Sequence, residues 1–288
     1  MPQHHDIRER YASDGIENGV FYVPLAYLYR VRLGTVGKML SWLFIYLLPC
    51  VFYAWCAAGT EVEWWRFMAQ MLLVFMAVIT VYELGYIFND TYATRREAQP
   101  AIRLYQHNFD HFYSHVPHIV ATRLVCAATF MALLYICCDA AQTYWLAASA
   151  VALIIPLFAV YNLWRTKWNV MLYPVLLFSR YIPYLLLYDA SWQYVALLFF
   201  CVPGLSMLER YSMPRHRFAM MRWLIPDEQS KTRFRVIYYT LALMALMILH
   251  VVRGLPLILA APYCVLWAYR IAIMLYVRHH TPRNYLNG

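Results

Sequence analysis

Long apolar stretches separated by short polar ones dominate the chain. A helix needs about 20 mostly apolar residues to cross the hydrocarbon of a bilayer. Eight stretches fall in that range: 39–59, 67–89, 117–138, 144–163, 169–188, 190–208, 236–252 and 255–277. A membrane barrel would instead need alternating strands of about ten residues. Runs such as FMAQMLLVFMAVITVYELGYIF are too long and too uniformly apolar for that. The pattern predicts an all-α, polytopic transmembrane bundle of about eight spans. Residues 1–38 read as a cytoplasmic segment with an interfacial helix, 39–277 as one bundle domain, and 278–288 as a tail. The opening MPQHHDIRERYASDGIENG is polar, so no cleavable signal peptide is expected.

Composition agrees with the pattern. Hydrophobic residues make up 63% of the 288 and charged residues only 14%, against roughly a quarter charged in a soluble domain. The formal charge is +9, from 24 Lys+Arg and 15 Asp+Glu. Sorted by loop, 19 cations fall on one side of the expected spans and two, Arg66 and Arg253, on the other. Arg123, Arg180 and Arg270 lie inside spans. By the positive-inside rule both termini are expected in the cytoplasm, in an inner or cytoplasmic membrane. The excess charge is then mainly orientation, and nucleic acid is a poor reading. The seven cysteines all fall in spans without metal-finger spacing and read as packing residues. Tryptophan and tyrosine near span ends read as interfacial anchors.

Charges inside lipid are expensive and mark function by default. The densest group ends the second span. Glu83, Asp90 and Glu97 recur every seven residues, nearly two helical turns, so they share a face beside Asn89. Such oxygens suit Mg²⁺ bridging to a phosphate. The plainer alternative pairs Glu83 with a buried arginine and leaves Asp90 and Glu97 at the interface. Arg95, Arg96, Arg103, Arg165 and Lys167 gather on the same side, and Arg180 sits in mid-span, where topology requires no charge. Guanidinium forks suit phosphate oxygens.

The segment GYIFNDTYATRREAQPAIRL resembles the first Asp-rich signature of the UbiA superfamily of intramembrane prenyltransferases. It keeps the Asn89-Asp90 start and has Glu97 in the last acidic place, while Ala93 stands where the middle Asp belongs. YNLWRTKWNVMLYP, with Tyr161 and Lys167, is similar to the family's connection between fourth and fifth helices. The second signature is reduced to Glu209 in GLSMLERYSMPRHRF, which is otherwise basic. The resemblance implies a bundle, of nine spans in the family, around a cavity that opens to the membrane. It implies caps over 91–116 and 210–234, and Mg²⁺ held by Asn89, Asp90, Glu97 and Glu209. The donor would be an isoprenoid or phosphoribosyl diphosphate, with Arg103 and Lys167 on its phosphates. On this reading Asp90, Glu97 and Glu83 are the catalytic candidates. Arg96, Arg103, Arg165, Lys167 and Arg180 are the phosphate-binding candidates, and the partner is an isoprenoid lipid or phosphorylated donor.

Two other classes stay open. His107, His111, His115 and His118 share a helical face, as ligands of a membrane di-iron oxygenase would, or as one side of an interfacial helix. A lipid-binding protein or transporter shares the prolines and intramembrane charges, although no inverted repeat is visible.

Overall fold

The computed structural model describes residues 15–59, 62–94, 102–138, 140–163, 169–212, 223, 225 and 228–280. It begins with a 3-10 turn, Asn18–Phe21, and a π-helical segment, Leu28–Leu33, that ends at Gly34. Gly34 has φ 73° and returns its N–H to the Tyr29 carbonyl, a turn that suits a residue without a Cβ. Helix α1 (Val36–Ala58) starts where the Thr35 hydroxyl accepts from the Lys38 N–H at 3.3 Å.

Helix α2 (Trp64–Phe88) runs on as a π-helical turn over Asn89–Ala93. It is the central helix, with 72% of its most apolar window buried. Helices α3 (Gln106–Cys137) and α4 (Ala141–Leu163) pack on it. Gly85 of α2 permits the closest approach, since a Cβ there would collide with the Phe158 ring of α4. Helix α3 bends at His115 (φ −127°, ψ 17°), just before Pro117. Proline lacks the N–H that would continue the ladder. The histidine-bearing first turns therefore form an arm set at an angle to the apolar span.

Next come α5 (Asn169–Ser179), α6 (Ile182–Leu186), α7 (Trp192–Cys201) and α8 (Pro203–Ser212). The chain closes with α9 (Glu228–Arg253), a 3-10 turn Leu257–Ala260, and α10 (Ala261–His280). Among the described residues six helices, α1–α4, α9 and α10, are long and apolar enough to span. The α7–α8 pair, bent by 41°, brings the number to seven if it is counted as one span. The stretch expected as one span over 169–188 is instead broken at Arg180–Tyr181, with Pro183 starting the second piece. It still runs the depth of α2. Asn169 Nδ2 bonds the Tyr161 carbonyl near one end, and the Tyr188 hydroxyl reaches Gln70 near the other.

Broken helices leave carbonyls that lipid cannot satisfy. Buried tyrosines satisfy them. Tyr46 donates to the Arg180 carbonyl at 2.8 Å, at the α5–α6 break. Tyr239 donates to Cys201 at 2.8 Å, at the α7–α8 bend. Tyr263 donates to Leu197 at 2.8 Å and Tyr53 to Leu259 at 2.9 Å. Besides any interfacial tyrosines, Tyr27, Tyr46, Tyr53, Tyr181, Tyr184, Tyr239 and Tyr263 are core residues. Cys50 and Cys201 are buried, Cys264 is exposed, and all seven cysteines are free.

Candidate functional site

Glu83 and Asp90 are both buried and face the same covering segment, residues 20–32. The sevenfold spacing was a correct guide to their common face. That segment and Arg123 cover both carboxylates.

Glu83 is held from two helices and a loop. Arg123 of α3 donates from Nη1 to Glu83 Oε2 at 2.6 Å. The backbone N–H groups of Leu25 and Leu28 donate to its two oxygens at 2.8 and 2.6 Å. The other faces of the guanidinium are used as well, with Nε on the Phe21 carbonyl (2.8 Å) and Nη2 on the Val20 carbonyl (2.9 Å). Leu25 has φ 70°, in the left-handed region that costs a non-glycine residue about 1–2 kcal/mol. Its hydrogen bond to Glu83 holds it there. Thus Glu83 takes the plainer of its two expected roles: it pairs with a buried arginine and clamps the N-terminal segment. Among the described residues both of its oxygens are engaged in this clamp.

Asp90 sits in the π-helical turn. Its Oδ1 accepts from Arg32 Nη2 at 2.7 Å and from Arg103 Nη1 at 3.0 Å. Its Oδ2 accepts from the Tyr27 hydroxyl at 3.0 Å, and Asn89 Nδ2 approaches Oδ1 at 3.4 Å. Burial, then the neighbouring Asp90 carboxylate, hold the Tyr27 phenol well above its ordinary pKa, so it stays a donor. Burial alone would lower the Arg32 pKa, but Asp90, with Tyr86 and Tyr27, raises it. Among the described residues, two guanidinium groups on one carboxylate leave one positive charge in excess. Arg32 lies 4.3 Å over the Tyr86 ring, and its buried Nε has no partner.

Beside this cluster α2, α3 and α4 enclose an apolar groove of about 420 Å³. Gly85, Phe88, Tyr92, Val120, Phe158 and Asn162 are among its walls. Tyr86, beneath Arg32, packs at 6.0 Å on Phe158, so one ring separates the charge from the groove.

The remaining expected residues divide. Glu97, Arg96, Arg165 and Lys167 lie outside the described residues. Glu209 is exchanged into a two-pronged pair with Arg235, Nη2 to Oε2 at 2.9 Å, and makes no bond to Asn89 or Asp90. Arg180 is buried behind the cluster, among aromatic rings. Mg²⁺ prefers several hard oxygens in near-octahedral array. Among the described residues no three His, Cys, Asp or Glu side chains gather to hold a metal, and both Asp90 oxygens already accept hydrogen bonds, Oδ1 from the two arginines and Oδ2 from Tyr27. The described donors alone do not make up a Mg²⁺ site; Glu97, a further expected ligand, lies outside them. The histidines do share a face, but as a stack: His111 lies 4.3 Å from His115 and meets the Tyr22 hydroxyl at 3.0 Å. His107 meets the Ile16 carbonyl at 2.9 Å.

Sequence reasoning missed Tyr27, Arg32 and Arg123 as site-forming residues. Arg123 carried the same signal as Arg180, a cation in mid-span. Tyr27 and Arg32 carried none, since they meet Asp90 across 63 and 58 residues of chain. Comparison of the chain with protein-family models, curated proteins and solved structures finds no match.

Proposed function

We propose that the protein is an intramembrane transferase of the prenyltransferase type, acting on a phosphorylated isoprenoid or phosphoribosyl-type donor at the cytoplasmic membrane face. The observation that carries this reading is the Asp90 cluster: a buried site with one excess positive charge, next to an apolar groove. A donor with a phosphate head and an apolar tail matches both parts. Its head would lie on Arg32 and Arg103, whose geometry Asp90 and Tyr27 fix in advance. When the bond from donor carbon to phosphate oxygen breaks, the electron pair stays on that oxygen, where the arginines stabilise it. The acceptor then bonds to the carbon and gives up a proton. Glu97, Lys167, Arg165 and Arg96 belong to the same proposal through the resemblance, as does Mg²⁺.

Orientation is part of the proposal. Counting α5–α6 and α7–α8 as one passage each gives eight passages, which puts both termini on the arginine-rich side. That agrees with the 19-to-2 sorting of cations.

The complete engagement of Asp90 favours a second reading, in which the site holds a lipid phosphate without chemistry. Turnover separates the two. Purified protein in nanodiscs would be given an isoprenoid diphosphate and a lipid extract as acceptor source, and pyrophosphate release followed. Wild type is expected to release it, Asp90→Asn to lose release, and Arg103→Ala to need more donor. Donor binding without release would leave only the second reading, and no donor binding would sink both.

A further inference from the structure

A second groove, of about 1080 Å³, lies between α7, α9 and α10 and shares no wall residue with the groove beside Asp90. On α9, Tyr238, Ala242, Ala245, Leu249 and Arg253 recur at helical spacing and line it. On α7, Ala196 lines it between Gln193 and Phe200. The three alanines are too short to bridge the two helices, which leaves the groove open. The wall tyrosines spend their hydroxyls on α7 backbone: Tyr238 donates to the Phe200 carbonyl, and Tyr263 to Leu197 at 2.8 Å. The polar side chains left on the wall stand at helix ends. Trp192 and Gln193 open α7, and Arg253 closes α9. Gly254, at φ 68°, turns the chain there, with its N–H on the His250 carbonyl at 3.0 Å. Arg253 is exposed at this rim. Among the described residues neither Arg253 nor Gln193 makes a side-chain hydrogen bond or ion pair.

The groove has the proportions of a lipid. From Tyr238 to Arg253 its α9 wall rises about 22 Å, at ~1.5 Å per residue. One leaflet of hydrocarbon is about 15 Å deep. Lipid tails are as apolar as leucine, so no hydrophobic force draws the helices together to close such a gap. Left empty, its lining would forfeit dispersion contacts, which an acyl chain restores. Phe200, Leu241 and Leu249 are exposed, so the groove is open to a chain along its side. Arg253 selects the headgroup. It is one of two cations that the sequence puts on its side of the membrane, so the positive-inside rule does not account for it. Its guanidinium fork suits phosphate oxygens, and the Gln193 amide adds a donor. A zwitterionic headgroup brings its own ammonium to that phosphate, whereas an anionic one leaves the charge to Arg253. We infer that this groove binds an anionic phospholipid, with its phosphate on Arg253 and Gln193 and an acyl chain along Ala196, Ala242 and Ala245. The inference does not require group transfer at Asp90.

Native mass spectrometry of the full chain in detergent, titrated with phosphatidylglycerol or phosphatidylcholine, tests it. Wild type is expected to retain one phosphatidylglycerol about five- to tenfold more tightly than phosphatidylcholine, the effect of one arginine at a membrane surface. Arg253→Gln should remove that preference. Ala245→Trp, which fills the groove, should remove the tight site for both lipids. Lys38→Gln, an exposed cation at the start of α1, should bind as wild type. If Ala245→Trp fails to fold, Arg253→Gln, a change at the surface, decides alone. Equal retention of the two lipids overturns the inference, as does a preference that survives Arg253→Gln. An equal loss in Lys38→Gln would mark diffuse attraction and overturn it too. So would a dimer that Ala245→Trp abolishes, since a second copy would then occupy the groove. None of these outcomes bears on pyrophosphate release at the Asp90 cluster, so the proposed function stands or falls separately.

Discussion

At the scale of single residues, the molecule spends its acidic side chains on arginines. Among the described residues, every hydrogen bond of the Glu83–Arg123 pair is directed at the covering segment or at its partner. Removing one member of such a buried pair typically costs about 3–5 kcal/mol, because the survivor is left charged and unpaired. Arg123→Leu is therefore expected to lower thermal stability in detergent sharply. Glu83→Gln/Arg123→Leu together should cost less than the sum of the single changes, since the pair is coupled. An additive result would mean the pair does not act as a unit. Glu83 and Asp90 could be read as one face from their spacing, because a helix turns local sequence directly into geometry. Their partners could not. Tyr27, Arg32 and Arg123 arrive from distant segments, and nothing in a local pattern encodes which distant cation meets which carboxylate.

At the scale of elements, the breaks decide the architecture. Apolar length alone reads 169–188 as one helix, whereas Pro183 and the Arg180–Tyr181 turn divide it. Proline was visible in the sequence. The remedy for the carbonyls it frees, a tyrosine from another helix, was not. Tyr46→Phe should cost about 1 kcal/mol by deleting the bond to the Arg180 carbonyl, a loss that denaturant or thermal unfolding measures. Gly85→Ala probes the tightest helix contact. Overpacking of this kind usually costs about 1–3 kcal/mol, so a lower melting temperature is expected. An unchanged one would show that Phe158 swings aside freely.

At the scale of the whole molecule, the class of fold was legible and the number of long spans was not. Uniform apolar runs fix an all-α membrane bundle. The count depends on bends that hydropathy averages away, so eight expected spans become six long helices, a bent pair and a broken stretch. The eight-passage proposal makes a clear demand. Reporter fusions after residue 288 should read out on the cytoplasmic side, and one inserted at the Asp189 turn on the opposite side. The same side for both would dismiss the eight-passage count. The His-bearing arm of α3 was legible as a shared face, but its stacking on Phe21 and Tyr22 depends on a segment some 90 residues earlier.

The clamp on residues 20–28 also dictates an order of assembly. Its acceptor, Glu83, and its donor, Arg123, are made 40 residues apart, and both long after the segment they grip. During synthesis α2 enters the bilayer carrying a lone acidic group in its last turns, a costly charge until it is paired. Only when α3 emerges does the neutralising arginine arrive and the first segment dock. Nascent chains stalled between α2 and α3 should leave residues 15–33 open to protease, and chains stalled beyond Cys137 should protect them. A segment made before either half of its clamp is thus among the last to settle.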